Sequence, residues 1–264
     1  MSFGKAASLA CLVPLLVASG DARADRGERD AAGGGAVLAR FLDRDEAPLA
    51  AYRARRIMRA ENERFDARAE LEVLTELRPD GTFAYEVVRE EGSGYIRNKV
   101  LRKVLRDEAD LRRHGGTDRG TLTGANYRFT EDRSAGAADE RRVLITPKRK
   151  DVLLVDGEIV LSGDGDLLRI EGRLAKNPSF WTRRVYVIRS YARVGGVRVP
   201  VSTESVADVR FAGRSRFAMD YQYDSVNGRP ITHQPTPATA VWRAPLLDSS
   251  AGVPERVFEH LTVP

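Results

Sequence analysis

The stretch from Ala67 to Leu77 constrains this chain more than any other. Ala67, Ala69, Leu71, Val73, Thr75 and Leu77 alternate with Arg68, Glu70, Glu72 and Glu76, and only Leu74 breaks the pattern. A period of two sends one set to each face of a strand, whereas a helix would scatter both around its circumference. Pro79-Asp80-Gly81 supplies turn residues, and Phe83, Tyr85 and Val87 resume the alternation, which predicts a hairpin. A strand of this kind belongs to an antiparallel sheet with one wet face and one covered face.

The second half extends the same pattern. Asp156-Gly157 lies between Val152–Val155 and Glu158–Leu161 and reads as a two-residue hairpin turn. Gly163-Asp164-Gly165-Asp166 predicts the next corner, before Leu167–Leu174. Gly195-Gly196 joins Arg183–Val194 to Val197–Phe211, and Gly213 leads into Arg214–Asp224. A two-residue loop at Gly195-Gly196 pairs Val194 with Val197, Ala192 with Val199, Ser190 with Val201, Ile188 with Thr203 and Tyr186 with Ser205, all on one face. Arg189, Arg193, Arg198, Ser202 and Glu204 then take the other. Phe217, Met219, Tyr221 and Tyr223 continue the covered face in the next strand.

Helical spacing occurs in two places. Val37, Leu38, Phe41 and Leu42 predict a short amphipathic helix from Ala36 to Arg44. Ile96, Val100, Leu101, Val104 and Leu105 predict a longer one, closed by Arg112, Arg113 and His114 before Gly115-Gly116. Residues 48–61 fit a helix opened by Pro48 or a strand, and the strand is preferred. Two shorter strands are expected near Asn126–Thr130 and Arg141–Thr146. The expected fold class is mainly β, of α+β type: a long antiparallel meander forming an open or half-closed barrel, with two or three helices over its concave face. One domain is expected over residues 36–228. Six of the twelve prolines fall from Pro230 onward, so residues 229–264 are expected to wrap as a tail over the sheet.

Residues 1–24 read as a secretory signal peptide cleaved after Ala24, followed by a flexible segment over residues 25–35. Lys5 is followed by the apolar run Ala6–Ser19, and Ala22-Arg23-Ala24 has the A-x-A form of a cleavage site. The run is shorter than the ~20 apolar residues of a membrane-spanning helix; an uncleaved anchor is the alternative. Cys11 is the chain's one cysteine, so a cleaved chain has no disulfide, thiolate metal site or cysteine nucleophile. The formal net charge of +5 is too mild to argue nucleic-acid binding.

Catalytic and metal motifs are absent from the sequence. Ser93 in Gly92-Ser93-Gly94 suits a helix cap better than a nucleophile. Asp164 and Asp166 fit a hairpin corner better than a calcium loop, which would need a distal Glu. His114, His233 and His260 are far apart. Glu90-Glu91 has no partner carboxylate and reads as a strand end. Lys148-Arg149-Lys150 is a solvated loop or a contact for an anionic surface. Phe180 and Trp181 plug a core end or line a ligand mouth. No cofactor and no metal is expected.

The succession VDGEIVLSGDGDLLRIEGRL, WTRRVYVIRSY, GGVRVPVSTES and DYQYDSVNG, over residues 151–228, resembles the outer-membrane lipoprotein-sorting, or lipoprotein-localisation, superfamily of periplasmic carriers. The resemblance implies a half-open barrel lidded by helices, with acyl chains held on the concave face. A regulatory branch of that family binds a membrane-protein partner instead. The expected function is therefore an exported periplasmic binding protein for a lipid, an acylated protein or a similar apolar ligand. The expected lining is Leu71, Val73, Phe83, Tyr85, Ile188, Val199, Val201, Phe217, Met219 and Tyr221. The alternative is an envelope regulatory or interaction protein that carries no lipid. An enzyme is a third, disfavoured reading. Peripheral membrane contact at most and a monomer are expected.

Overall fold

The computed structural model describes residues 34–131 and 139–234; the leader, residues 25–33 and most of the proline-rich tail lie outside them. Helix α1 spans Gly34–Asp43. Strands β1 (Tyr52–Asn62), β2 (Ala67–Leu77) and β3 (Phe83–Gly92) follow. Three contiguous helical stretches come next: Gly94–Ile96, the π-wound Arg97–Leu101, and Arg102–His114. Together they are helix α2. After a 3₁₀ turn at Thr117–Gly120 come β4 (Tyr127–Glu131), β5 (Glu140–Pro147), β6 (Val155–Ser162), β7 (Leu167–Leu174), β8 (Thr182–Val194), β9 (Val197–Val209), β10 (Gly213–Val226) and β11 (Arg229–Pro230). The strands make one antiparallel sheet of order β3-β2-β1-β10-β9-β8-β7-β6-β5-β4, with β11 against β10. The two edge strands β3 and β4 are not paired with each other, so the barrel is open, as the alternation predicts. Residues 48–61 resolve to a strand, and both helices form.

Registration fixes the faces. On β1, Tyr52, Ala54, Arg56, Met58, Ala60 and Asn62 are buried and their odd-numbered neighbours are more exposed. Arg56 stands opposite Val73 and Tyr221, and Met58 opposite Leu71 and Met219. Helix α2 bonds to Arg56, so this is the inner, covered face. The helix lays Ile96, Val100, Leu101, Val104 and Leu105 onto it. Each such buried aliphatic contributes about 2 kcal/mol, which explains why a helix with so polar an outer side stays docked.

Two details depart from the sequence reading. Asp156-Gly157 is not a turn but part of β6. Gly157 stands opposite Gly172 of β7, and the two backbones approach so closely that a Cβ on Gly157 would lie 2.6 Å from Gly172 Cα. The glycine is there for close approach rather than for a reversal, which is the other use of a side chain of one hydrogen. The second departure is in the β8–β9 hairpin. Val194–Val197 and Ala192–Val199 pair as expected. A bulge then intervenes: Tyr191 faces Pro200, Ser190 faces Ser202, Arg189 faces Thr203 and Ile188 faces Glu204. Val201 is the extra residue, and the expected Ser190–Val201, Ile188–Thr203 and Tyr186–Ser205 pairs do not form. Arg189 and Tyr191 therefore face inward and are buried, while Ser190 and Ala192 leave the inner face.

The connections alternate between two ends of the sheet. At one end lie the turns at 78–82, 163–166, 195–196 and 227–228, with α1 against the 163–166 turn. Gly165 is so close to α1 that a Cβ there would lie 3.2 Å from Phe41 N. At the other end lie the β1–β2, β7–β8 and β9–β10 connections, at residues 63–66, 175–181 and 210–212.

Candidate functional site beneath helix α2

Arg56 is the centre of the inner face. It is 1% exposed and Glu108 of α2 is 2% exposed. Its Nη1 donates to Glu108 Oε2 at 2.6 Å and its Nη2 to Oε1 at 3.2 Å, a bidentate pair, and Nη2 also donates to the Tyr52 hydroxyl. Its guanidinium lies 4.8 Å from the Tyr221 ring, 5.2 Å from Phe83 and 5.8 Å from Tyr52. Arg112, one helical turn on, reaches Glu108 Oε1 with Nε at 3.6 Å and stacks 6.0 Å over Phe83. Burial alone would raise the Glu108 pKa, but the charge and hydrogen bonds of Arg56, with Arg112 and Arg189 beyond, hold it below the usual carboxylate range. Burial likewise pushes the Arg56 guanidinium down, and Glu108 more than restores it, so its pKa stands well above the ordinary value. Three guanidiniums thus act on one carboxylate in a space lined by aromatic rings.

Seven of the ten sequence-predicted lining residues come together here. Leu71, Val73, Phe217, Met219 and Tyr221 are buried on the inner face, and Phe83 and Tyr85 of β3 are half-buried at its edge. Three do not join them. Ile188 is half-buried on the outer face, opposite Glu171 and Glu204. Val199 is buried in the core but beyond the bulge, opposite Ala192, and Val201, also buried, is the bulged residue itself. Sequence reasoning missed Arg56, Glu108 and Arg189. A signal existed for the first two: Arg56 occupies the even, apolar series of β1, and Glu108 continues the 101-104-105 spacing of α2.

A cavity of about 450 Å³ opens at the corner where β1, β2, β3 and β10 meet. Arg59, Glu61, Arg68, Glu70, Glu91 and Arg216 supply most of its wall, and Phe217 is the one predicted lining residue it touches. The inner face itself is filled by the helix. On the outer face, Glu158 and Glu171 stand opposite each other on β6 and β7. Burial, then the hydrogen bond and charge of Glu171, raise the Glu158 pKa to about 7, against the pull of Arg142 and Arg169.

The remaining motifs take structural places. Ser93 Oγ accepts from Ile96 N at 3.4 Å and caps α2. Lys148 Nζ donates to the Gly124 carbonyl, and Arg149 donates to Asn126 Oδ1 and the Arg119 carbonyl, so two members of that basic run serve the loop itself. Asp166 pairs with Arg44 and Arg193 at a hairpin corner, as an end-binding role for α1 requires. Glu90 pairs with Arg97 at 2.7 Å and Arg102 at 2.5 Å, securing the start of α2. Among the described residues, no group of three or more metal-ligating side chains converges and no helix is long and apolar enough to cross a membrane.

No family model and no curated protein matches the chain. Among solved structures, a LolA superfamily protein from Nitrosomonas europaea is similar over 78% of this chain and 96% of its own, at 10% identity and a TM-score of 0.32.

Proposed function

We propose that the chain is a periplasmic carrier-like binding protein that takes an apolar ligand with an anionic end, such as a fatty acid or acylated molecule, on the inner face of its open sheet, with helix α2 as a displaceable cover. The observation that carries this reading is the Arg56–Glu108 pair. A buried ion pair contributes little net stability compared with apolar side chains of the same volume. A cover with a purely structural role gains nothing from it. A cover that must leave and return gains a polar contact that a ligand's own carboxylate or phosphate can replace. Glycines with positive φ flank the helix, Gly92 before it and Gly115 and Gly116 after it, which gives its two connections backbone freedom. The apolar residues under it would then hold the chain of the ligand at roughly 25 cal/mol per Å² of buried area.

The test is lipid extraction. The full chain is expressed in a Gram-negative host, recovered without detergent, denatured and extracted, and the extract is analysed by mass spectrometry. A stoichiometric acyl lipid or fatty acid supports the reading. An empty extract from folded protein overturns it. The filled inner face would then favour an envelope interaction protein that carries no lipid.

A further inference from the structure

The end of the sheet away from α1 exposes aromatic rings that contribute nothing to the core. Phe180 and Phe211 are each 74% exposed, Phe65 is 62% exposed and Trp181 is 37% exposed. They are not scattered. Trp181 lies with its ring centroid 5.4 Å from Phe180 and 5.9 Å from Phe211, and the Arg210 amide donates to the Trp181 carbonyl at 2.7 Å, which ties two connections together. Phe65 sits in the neighbouring β1–β2 tip, which the Glu63 N to Arg214 O bond joins to the same edge. Large exposed aromatics gathered on adjoining connections mark an interaction surface rather than ordinary surface composition.

The charges around these rings identify the partner. Arg210 lies 4.6 Å over Phe180. Arg64 packs beside Gly213, and Arg183 and Lys176 flank the β7–β8 connection. None of these four cations forms an ion pair among the described residues, although the chain pairs its other arginines widely. The nearby acids are Glu63, which pairs with Arg216 at 3.0 Å, and the exposed Asp66 and Asp208. Cations therefore outnumber free acids on these tips. Tryptophan and phenylalanine with arginine beside them match the headgroup layer of a bilayer, where rings enter the acyl boundary and guanidiniums hold phosphates. The rings are spread over three separate connections at one end of the sheet and are mostly exposed, an arrangement that suits a planar surface better than a peptide.

We infer that the Phe65, Phe180–Trp181 and Phe211 tips form a peripheral docking surface for an anionic phospholipid bilayer. This surface is separate from the inner face and does not depend on a ligand there. The test is co-sedimentation of the purified chain with vesicles of phosphatidylethanolamine and phosphatidylglycerol, beside vesicles of phosphatidylcholine alone. Binding to the anionic vesicles is expected, weakened by added salt. Phe180→Ser with Phe211→Ser is expected to lower it about tenfold or more, and Arg64→Gln with Arg210→Gln severalfold. In a Trp242→Phe background, Trp181 is the one remaining tryptophan, and its emission is expected to shift to the blue on anionic vesicles. The inference is overturned if the wild-type chain does not sediment with anionic vesicles, if the aromatic double variant binds them as well as wild type, or if Trp181 emission does not change. The double variants remove exposed groups only, and circular dichroism checks that they fold.

Discussion

The two ends of the open sheet are built from the same materials and use them in opposite ways. At the α1 end the arginines around the helix are paired. Arg44 and Arg193 share Asp166, Arg193 also holds Glu46 at 2.9 Å, and Arg40 Nη2 donates to the Gly163 carbonyl at 2.7 Å. Arg198 lies 5.3 Å over Phe41, and Asn227 bonds Ala50 N, Ala51 N and the Pro48 carbonyl, pinning the link from α1 to β1. At the far end Arg64, Arg183 and Arg210 form no ion pair among the described residues, and the rings they accompany pack on one another at the surface rather than in the core. The lesson is that Arg and Phe content alone does not distinguish a sealed end from a docking end; pairing does. A charge that is already neutralised closes a fold, and one left bare is available to something else.

The largest expected effect is at the place where cover and sheet meet between these ends. Arg56→Ala leaves Glu108 buried without its main partner and is expected to cost about 4 kcal/mol in denaturant unfolding, whereas Arg56→Met with Glu108→Leu restores most of it. If the single variant costs nothing, the cover does not depend on this pair. Gly157→Ala comes next. Its new Cβ would meet the backbone of β7, at a cost of about 2–3 kcal/mol by chemical denaturation, against almost none if the strands slide apart freely.

A pH series separates the outer face from both ends. Glu158 has a folded pKa raised to about 7 from an ordinary 4.5. Its contribution to stability is therefore whole below the unfolded value and is lost as pH rises through about 7. Glu158→Gln is expected to match wild type in acid and to exceed it by about 1 kcal/mol in mild alkali. Equal stability across the range would dissolve the carboxylate pair.

The smallest effects sharpen the comparison itself. Asp166→Ala removes the shared partner of two half-exposed arginines and is expected to cost about 1 kcal/mol in thermal melting, less in high salt. Phe211→Ser at the opposite end is expected to change stability by less than about 0.5 kcal/mol. A larger loss there would mean that the ring is core rather than surface.

Much of this was legible in sequence. The hairpin of β2 and β3 follows from alternation and Pro-Asp-Gly, and α2 follows from its apolar spacing and glycine stop. The first pairs beside Gly195-Gly196 were right because a short loop fixes register locally. Register was lost one bulge later, since an unpaired residue has no signature in hydrophobicity: Val201 is as apolar as Val199. Asp156-Gly157 misled because the sequence states that a side chain is missing but not what occupies its place. Arg56 was missed although its place in the apolar series was legible, because a charge there reads as noise until its counter-charge, 52 positions on, is known to lie over it.

The single extra residue in β9 acts as a phase inverter. On one side of it Tyr191 faces Pro200 and Ala192 faces Val199; on the other Ser190 faces Ser202 and Arg189 faces Thr203, so β9 is one residue out of step with β8 across the bulge. Deleting Val201 would shift Arg198 from its place over Phe41 of α1 or else shift the Thr203–Val209 stretch against β8 and β10, so the length of β9 is under tighter constraint than its composition. A chain with the same apolar pattern but without that residue would pair β9 one position out on one side of it, even where every other residue is similar. Distant resemblance in folds of this kind is therefore eroded by insertions of one residue more than by many substitutions.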